Sequence, residues 1–141
     1  MLFDKLDNHP KLWLRLTILW MILIIILSTP LFTPKKTAKY TDKITTEINF
    51  RFIAHLVVYF ILGFLLSGAV RLNFTWKNKL VMSIAICILY SIFDEFHQYF
   101  EPGRRLRLID IGTNSIGSLF GIAVHYFIFL RVKKERNKGK Y

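Results

Sequence analysis

Long apolar runs alternate along this chain with short polar, mostly basic stretches. The first run, Leu12 to about Phe32, is rich in Leu and Ile, with Trp13 and Trp20 as expected interface anchors. Pro30 and Pro34 close it, because proline cannot continue a helix comfortably. Further runs extend from Phe52 to Val70, from Leu80 to about Phe100 and from Leu108 to Leu130. Each approaches the roughly 20 residues that an α-helix needs to cross a bilayer. Thr33 to Arg51 reads as a polar loop or interfacial segment, Arg71 to Lys79 as a short turn and Glu101 to Arg107 as another. The pattern predicts an all-α, polytopic membrane protein, a small antiparallel bundle of four transmembrane helices. It would occupy residues 1–130, with 131–141 as a basic cytoplasmic tail. The first run is too long for a signal-peptide core, and no small-residue cleavage site follows it convincingly.

Polar residues inside the runs carry most of the information, since ionisable groups in a membrane are costly and face a bundle interior or a wet cavity. In the second run His55, Tyr59, Gly63 and Ser67 fall on one helix face at i, i+4 spacing. In the third, Ser83, Cys87, Ser91 and Glu95 form another such line, and Asp94 and Gln98 share a face beside it. In the fourth, Asp110, Asn114, Gly117 and Gly121 lie on one face. Alternating helices bring the start of the second run, the end of the third and the start of the fourth to one membrane surface. Singly, His55 reads as a packing residue, Asp94, Glu95 and His97 as interfacial groups, and Arg104, Arg105 and Arg107 as lipid anchors. Together they predict a pocket formed by His55, Tyr59, Asp94, Glu95, Gln98, Arg104, Asp110 and Asn114, overhung by the Pro102-Gly103-Arg104 turn. Glu95 and His55 are its candidate catalytic groups. Gly63, Gly117 and Gly121 are expected to let another helix approach closely, within the bundle or in a homo-oligomer.

The stretch Ser91-Ile-Phe-Asp-Glu-Phe-His-Gln-Tyr-Phe-Glu-Pro-Gly-Arg104, followed by Asp110-Ile-Gly-Thr-Asn114 and Gly117-x-x-x-Gly121, resembles the VanZ-like family. His55-x-x-x-Tyr59 and the proline-bounded first run fit the same pattern. The family is named for a teicoplanin-resistance protein of Gram-positive bacteria. The resemblance implies a four-helix protein of the bacterial plasma membrane and low-level lipoglycopeptide resistance, by a route distinct from altering the D-Ala-D-Ala target. Asp94, Glu95, Gln98, Arg104, Asp110, Asn114, His55 and Tyr59 are its motif positions here.

Composition agrees with a membrane solvent, at 53% hydrophobic residues and a mean hydropathy of +0.38 in 141 residues, more apolar surface than so small a soluble domain would hide. The formal charge of +11 flanks the spans rather than forming a soluble basic module, so lipid contact is expected and nucleic-acid binding is not. The N-terminus, second loop and tail carry twelve Lys and Arg, against eight in the first and third loops, which favours both termini in the cytoplasm. The lone Cys87 reads as a small packing residue. No cofactor is expected and no metal, because His97 and Glu95 stand two apart on a helix and the spacing of His55, His97, Asp94 and Glu95 matches no standard ligand motif. Two mechanisms remain open. A binder would hold a lipoglycopeptide or a lipid-linked wall precursor, and an intramembrane enzyme would act on a lipid-linked envelope component.

Overall fold

The computed structural model describes residues 9–28, 41–70, 76–100 and 106–138. They form four helices, α1 (Pro10–Ser28), α2 (Thr41–Ala69), α3 (Trp76–Tyr99) and α4 (Leu108–Lys138), and no strand. Each contains a segment long and apolar enough to cross a membrane: Lys11–Ser28, Arg51–Ala69, Lys77–Tyr99 and Leu108–Val132. The shortest of these, 18 residues in α1, rises ~27 Å at 1.5 Å per residue, close to the thickness of the hydrocarbon core.

Two boundaries differ from the sequence expectation. Residues 41–51, read above as part of a polar loop, are the first turns of α2. A helix does not end where the lipid does, and its polar extension continues the hydrogen-bond ladder into the interface. Likewise Arg131 to Lys138, in the basic tail, continue α4. Pro30 and Pro34 lie outside the described residues.

The burial pattern suits lipid rather than water as solvent. Long apolar side chains such as Leu19, Val81, Leu89, Phe120 and Phe127 point outward. Polar ones such as Thr17, Ser83, Ser91, Gln98 and Asn114 point inward. Hydroxyls without a cross-helix partner turn back on their own helix, Thr17 to the Trp13 carbonyl at 2.8 Å and Ser67 to the Gly63 carbonyl at 2.9 Å. Such local closure is what an apolar solvent requires, because it offers these groups no competing hydrogen bonds.

Consecutive helices run antiparallel, but the most extensive contact is between α2 and α4, which are parallel. Three glycines explain it. A β-carbon on Gly63 would strike the Ser118 backbone, one on Gly117 the Leu56 carbonyl, and one on Gly121 the Phe60 carbonyl. The backbones of α2 and α4 touch where side chains would keep them apart. The glycine line expected for close packing is therefore used inside the chain. Around this pair Ile24 of α1, Tyr59, Leu62 and Leu66 of α2, Cys87 and Tyr90 of α3 and Ile122 of α4 form the buried apolar core.

The two tryptophans of α1 turn inward rather than anchoring it at the interface. Trp13 is 3% exposed. It fills the space left by the absent side chain of Gly68 and stands edge-on to His125, with ring centroids 5.4 Å apart. Trp20 donates its indole N–H to the Val58 carbonyl at 3.0 Å. Tyr90 of α3 caps the other side by donating to the Met21 carbonyl at 2.5 Å.

This packing predicts opposite outcomes for two glycines of one helix. Gly121→Ala should destabilise the protein by ~1–3 kcal/mol through overpacking. Gly112→Ala, where an added β-carbon meets nothing within 4 Å, should be neutral or stabilise by up to ~1 kcal/mol. Unfolding of both variants in detergent micelles, followed by circular dichroism, measures the difference.

Candidate functional site

The end of α1, the start of the spanning part of α2, the end of α3 and the start of α4 meet at one end of the bundle. Three polar networks fill the space between them.

The first centres on Asp94, whose carboxylate is 1% exposed. Oδ1 accepts from the Ser28 hydroxyl at 2.9 Å and Oδ2 from the Tyr59 hydroxyl at 3.0 Å. Gln98, one turn along α3, donates its amide N–H to the Ser28 oxygen at 3.2 Å. One buried carboxylate thus ties α1 and α2 to α3.

The second network joins α2, α4 and α3. Asn114 donates its amide N–H to the Ser91 hydroxyl oxygen at 2.9 Å and turns its carbonyl oxygen toward Nδ1 of His55, also at 2.9 Å. A carbonyl only accepts, so the His55 proton on this side sits on Nδ1, and in the neutral ring Nε2 carries the lone pair.

The third network surrounds the first turn of α4. Arg51 pairs with Asp110 Oδ2. Asp110 also stands at the helix N-terminus, where the macrodipole favours negative charge. Glu95 is fully buried, and its Oε2 accepts the backbone N–H of Arg107 at 3.2 Å. Its Oε1 is buried with no hydrogen-bond partner among the described residues.

These networks form one site graded in exposure. Glu95, Asn114 and Ser91 are wholly enclosed, whereas His55 and Arg51 are only partly buried. Asn114 lies six residues inside α4, ~9 Å along the helix axis, so the floor is within the membrane and the rim near its surface. A ligand atom each from His55, Glu95 and Asp110 lie within 4.8 Å of one another. A separate cavity of about 130 Å³, lined by Ser67, Lys79, Ser83, Ile122 and His125 among others, opens at the opposite end of the bundle. It holds none of the carboxylates.

Seven of the eight residues expected at the site are brought together: His55, Tyr59, Asp94, Glu95, Gln98, Asp110 and Asn114. Arg104, and the turn expected to overhang the site, lie outside the described residues. Three contributors were missed. Ser28 is a neutral hydroxyl near the end of an apolar run and carries no sequence signal of its own. Arg51 was assigned to a loop, although it is one turn before His55 and extends the His55–Tyr59–Gly63 line. The Arg107 N–H acts through the backbone, which no side-chain pattern shows. Asp94 and His97, considered as metal ligands from the sequence, are not in the His55–Glu95–Asp110 cluster.

The Asp94 network yields a stability test. Removing one donor leaves part of a buried carboxylate unsatisfied, at a cost of ~1–3 kcal/mol. Tyr59→Phe and Ser28→Ala should each destabilise by that order. The double variant should depart from the sum of the two, since both hydroxyls serve one acceptor. Unfolding of the four species of this cycle in detergent reads the coupling.

The family model described as VanZ/LLP1 matches residues 12–130, which takes in nearly all of the four spans and every residue of the site. No curated protein and no solved structure matches the chain.

Proposed function

The chain belongs to the VanZ/LLP1 family, and from that premise we propose that it contributes to low-level resistance to lipid-tailed glycopeptides of the teicoplanin type. In this reading it holds a lipid-tailed ligand, the antibiotic itself or an anionic or prenyl-linked envelope lipid, at the polar end of its bundle. The observation that supports it most is the combination of that polar site with the apolar flanks below it. A ligand with a polar head and an acyl or prenyl tail would meet hydrogen-bonding groups at the partly buried His55 and Arg51, with Asn114 holding His55 from behind. It would meet exposed apolar side chains such as Phe52, Phe93 and Phe96 alongside. The basic residues of the third loop, Arg104, Arg105 and Arg107, would add charge-assisted contacts to a phosphate or carboxylate.

The buried oxygen of Glu95 without a partner supports a second reading, an intramembrane enzyme acting on a lipid-linked wall or envelope component. Glu95 would act as general base, with His55 beside it. The two readings part at Glu95→Gln, which keeps shape and removes charge. A binder loses part of its affinity, whereas loss of a general base lowers turnover by ~10²–10⁴.

Antibiotic susceptibility of a sensitive Gram-positive host is the first test. Expression of the chain should raise the inhibitory concentration of teicoplanin and leave that of vancomycin unchanged. Glu95→Gln, at matched membrane expression, should lose part of the protection if the chain is a binder and nearly all of it if Glu95 is a general base. No change with the wild-type chain sinks the resistance role. With both termini cytoplasmic, the polar end of the bundle would lie at the outer leaflet. A Cys87→Ser, Lys140→Cys chain in intact cells should stay unlabelled by a membrane-impermeant maleimide, and labelling would reverse the orientation.

A further inference from the structure

The charge of the site is of the wrong sign for an anion alone. Its described side chains bring together three carboxylates, Asp94, Glu95 and Asp110, against one guanidinium, Arg51. Asp94 is satisfied by two hydroxyl donors and Asp110 by Arg51. Glu95 has only a backbone N–H on one oxygen, and the other is buried without a partner. A buried carboxylate in that condition calls for a cation.

We propose that His55, Glu95 and Asp110 form a binding site for a divalent transition-metal ion of the zinc class. The three residues come from α2, α3 and α4, and their ligand atoms lie within 4.8 Å of one another. Ligand atoms around a tetrahedral zinc ion at ~2.1 Å stand ~3.4 Å apart, so side-chain rotation of the two carboxylates has to draw the set in by up to ~1.4 Å on binding.

Each residue is also tethered in the manner of a metal ligand, one polar atom held by the protein and one left to bind. His55 gives its Nδ1 proton to Asn114, which fixes the ring and directs the Nε2 lone pair away from that bond. This is the arrangement that second-shell carbonyls impose on metal-bound imidazoles. Glu95 is held through Oε2 by the Arg107 N–H, leaving Oε1. Asp110 is held through Oδ2 by Arg51.

One nitrogen and two carboxylates favour zinc or a neighbouring transition ion over magnesium or calcium, which take all-oxygen sets. Three protein ligands leave a coordination position open for water or for an oxygen of an anionic headgroup. The inference departs from the sequence expectation of no metal because the ligands come from three helices and share no local spacing. It stands on the geometry alone, so loss of the resistance phenotype would leave it intact.

The test reads the ion directly. The full chain, purified without a polyhistidine tag, reconstituted in lipid nanodiscs and stripped by chelator, is titrated with Zn²⁺. One equivalent per chain should bind saturably. Removing a second-shell partner of a metal ligand typically weakens binding ~10–100-fold, so Glu95→Gln and His55→Gln should weaken it at least ~10-fold, and Cys87→Ser should not. X-ray absorption at the zinc edge of the wild-type chain should count one imidazole among oxygen ligands, a measurement that holds even where a variant does not fold. Absence of saturable uptake, unchanged affinity in a folded Glu95→Gln, or a shell with sulfur or two or more imidazoles would each overturn the proposal.

Discussion

Backbone contact between α2 and α4 sets the geometry of everything else in this bundle. Gly63, Gly117 and Gly121 remove the side chains that would separate the two helices, and in lipid, where the hydrophobic effect does not press helices together, such close fit is a main source of association. The pair is parallel, so residues near the same end of each helix face one another. That is why His55 meets Asn114 and Arg51 meets Asp110. If α4 were held off by even one methyl group along this seam, both polar pairs would lengthen, and His55 and Ser91 would lose their shared partner Asn114.

The third helix fits onto this seam by chemistry more than by shape. Its direct polar links include Ser91 to α4, Tyr90 and Gln98 to α1, Asp94 to α1 and α2, and Glu95 to the residue preceding α4. Neighbouring carboxylates on one helix have unlike surroundings. Asp94 accepts from two side-chain hydroxyls and serves as a structural cross-link. Glu95 accepts one backbone N–H and keeps a second oxygen with no described partner. A buried group that the fold leaves incompletely satisfied is the usual place to look for function, because stability alone would not retain it. The same contrast separates the residues that hold the bundle from those available to a ligand.

Much of this was legible in the sequence. Run length gave the spans, since the thickness of a bilayer is a strict ruler. The i, i+4 lines of His55–Tyr59–Gly63 and Asp110–Asn114 marked inward faces, because only such faces spare polar groups from lipid. Helix alternation then placed their ends together. What could not be read depended on tertiary partners. Trp13 has the position of an interface anchor, and only the vacancy at Gly68 draws it inward. Arg51 ends a polar stretch that reads as a loop, and continuation of the helix through that stretch set it one turn before His55. The preference of α2 for α4 over its sequence neighbours comes from matching Gly63 on one helix with the Gly117–Gly121 line on the other, which are visible separately but whose pairing is a matter of three dimensions. The His55–Glu95–Asp110 cluster has the same character, since no two of its members share a helix.

That dispersal has a bearing on how the protein is made. Ribosomes deliver α1, α2 and α3 before α4, so for a time the growing chain contains Asp94 with both of its donors, Ser28 and Tyr59, already in place. His55 then lacks the Asn114 carbonyl, and Glu95 lacks the Arg107 N–H. Asp94 can lock the first three helices into a partial assembly as soon as α3 enters the bilayer. The remaining polar end stays incomplete and wet until the last helix slides in along the glycine seam. The order of synthesis therefore separates the two carboxylates as the fold separates them in role: the structural one has its donors available before the last helix is made, and the site itself has its full set of residues only after it.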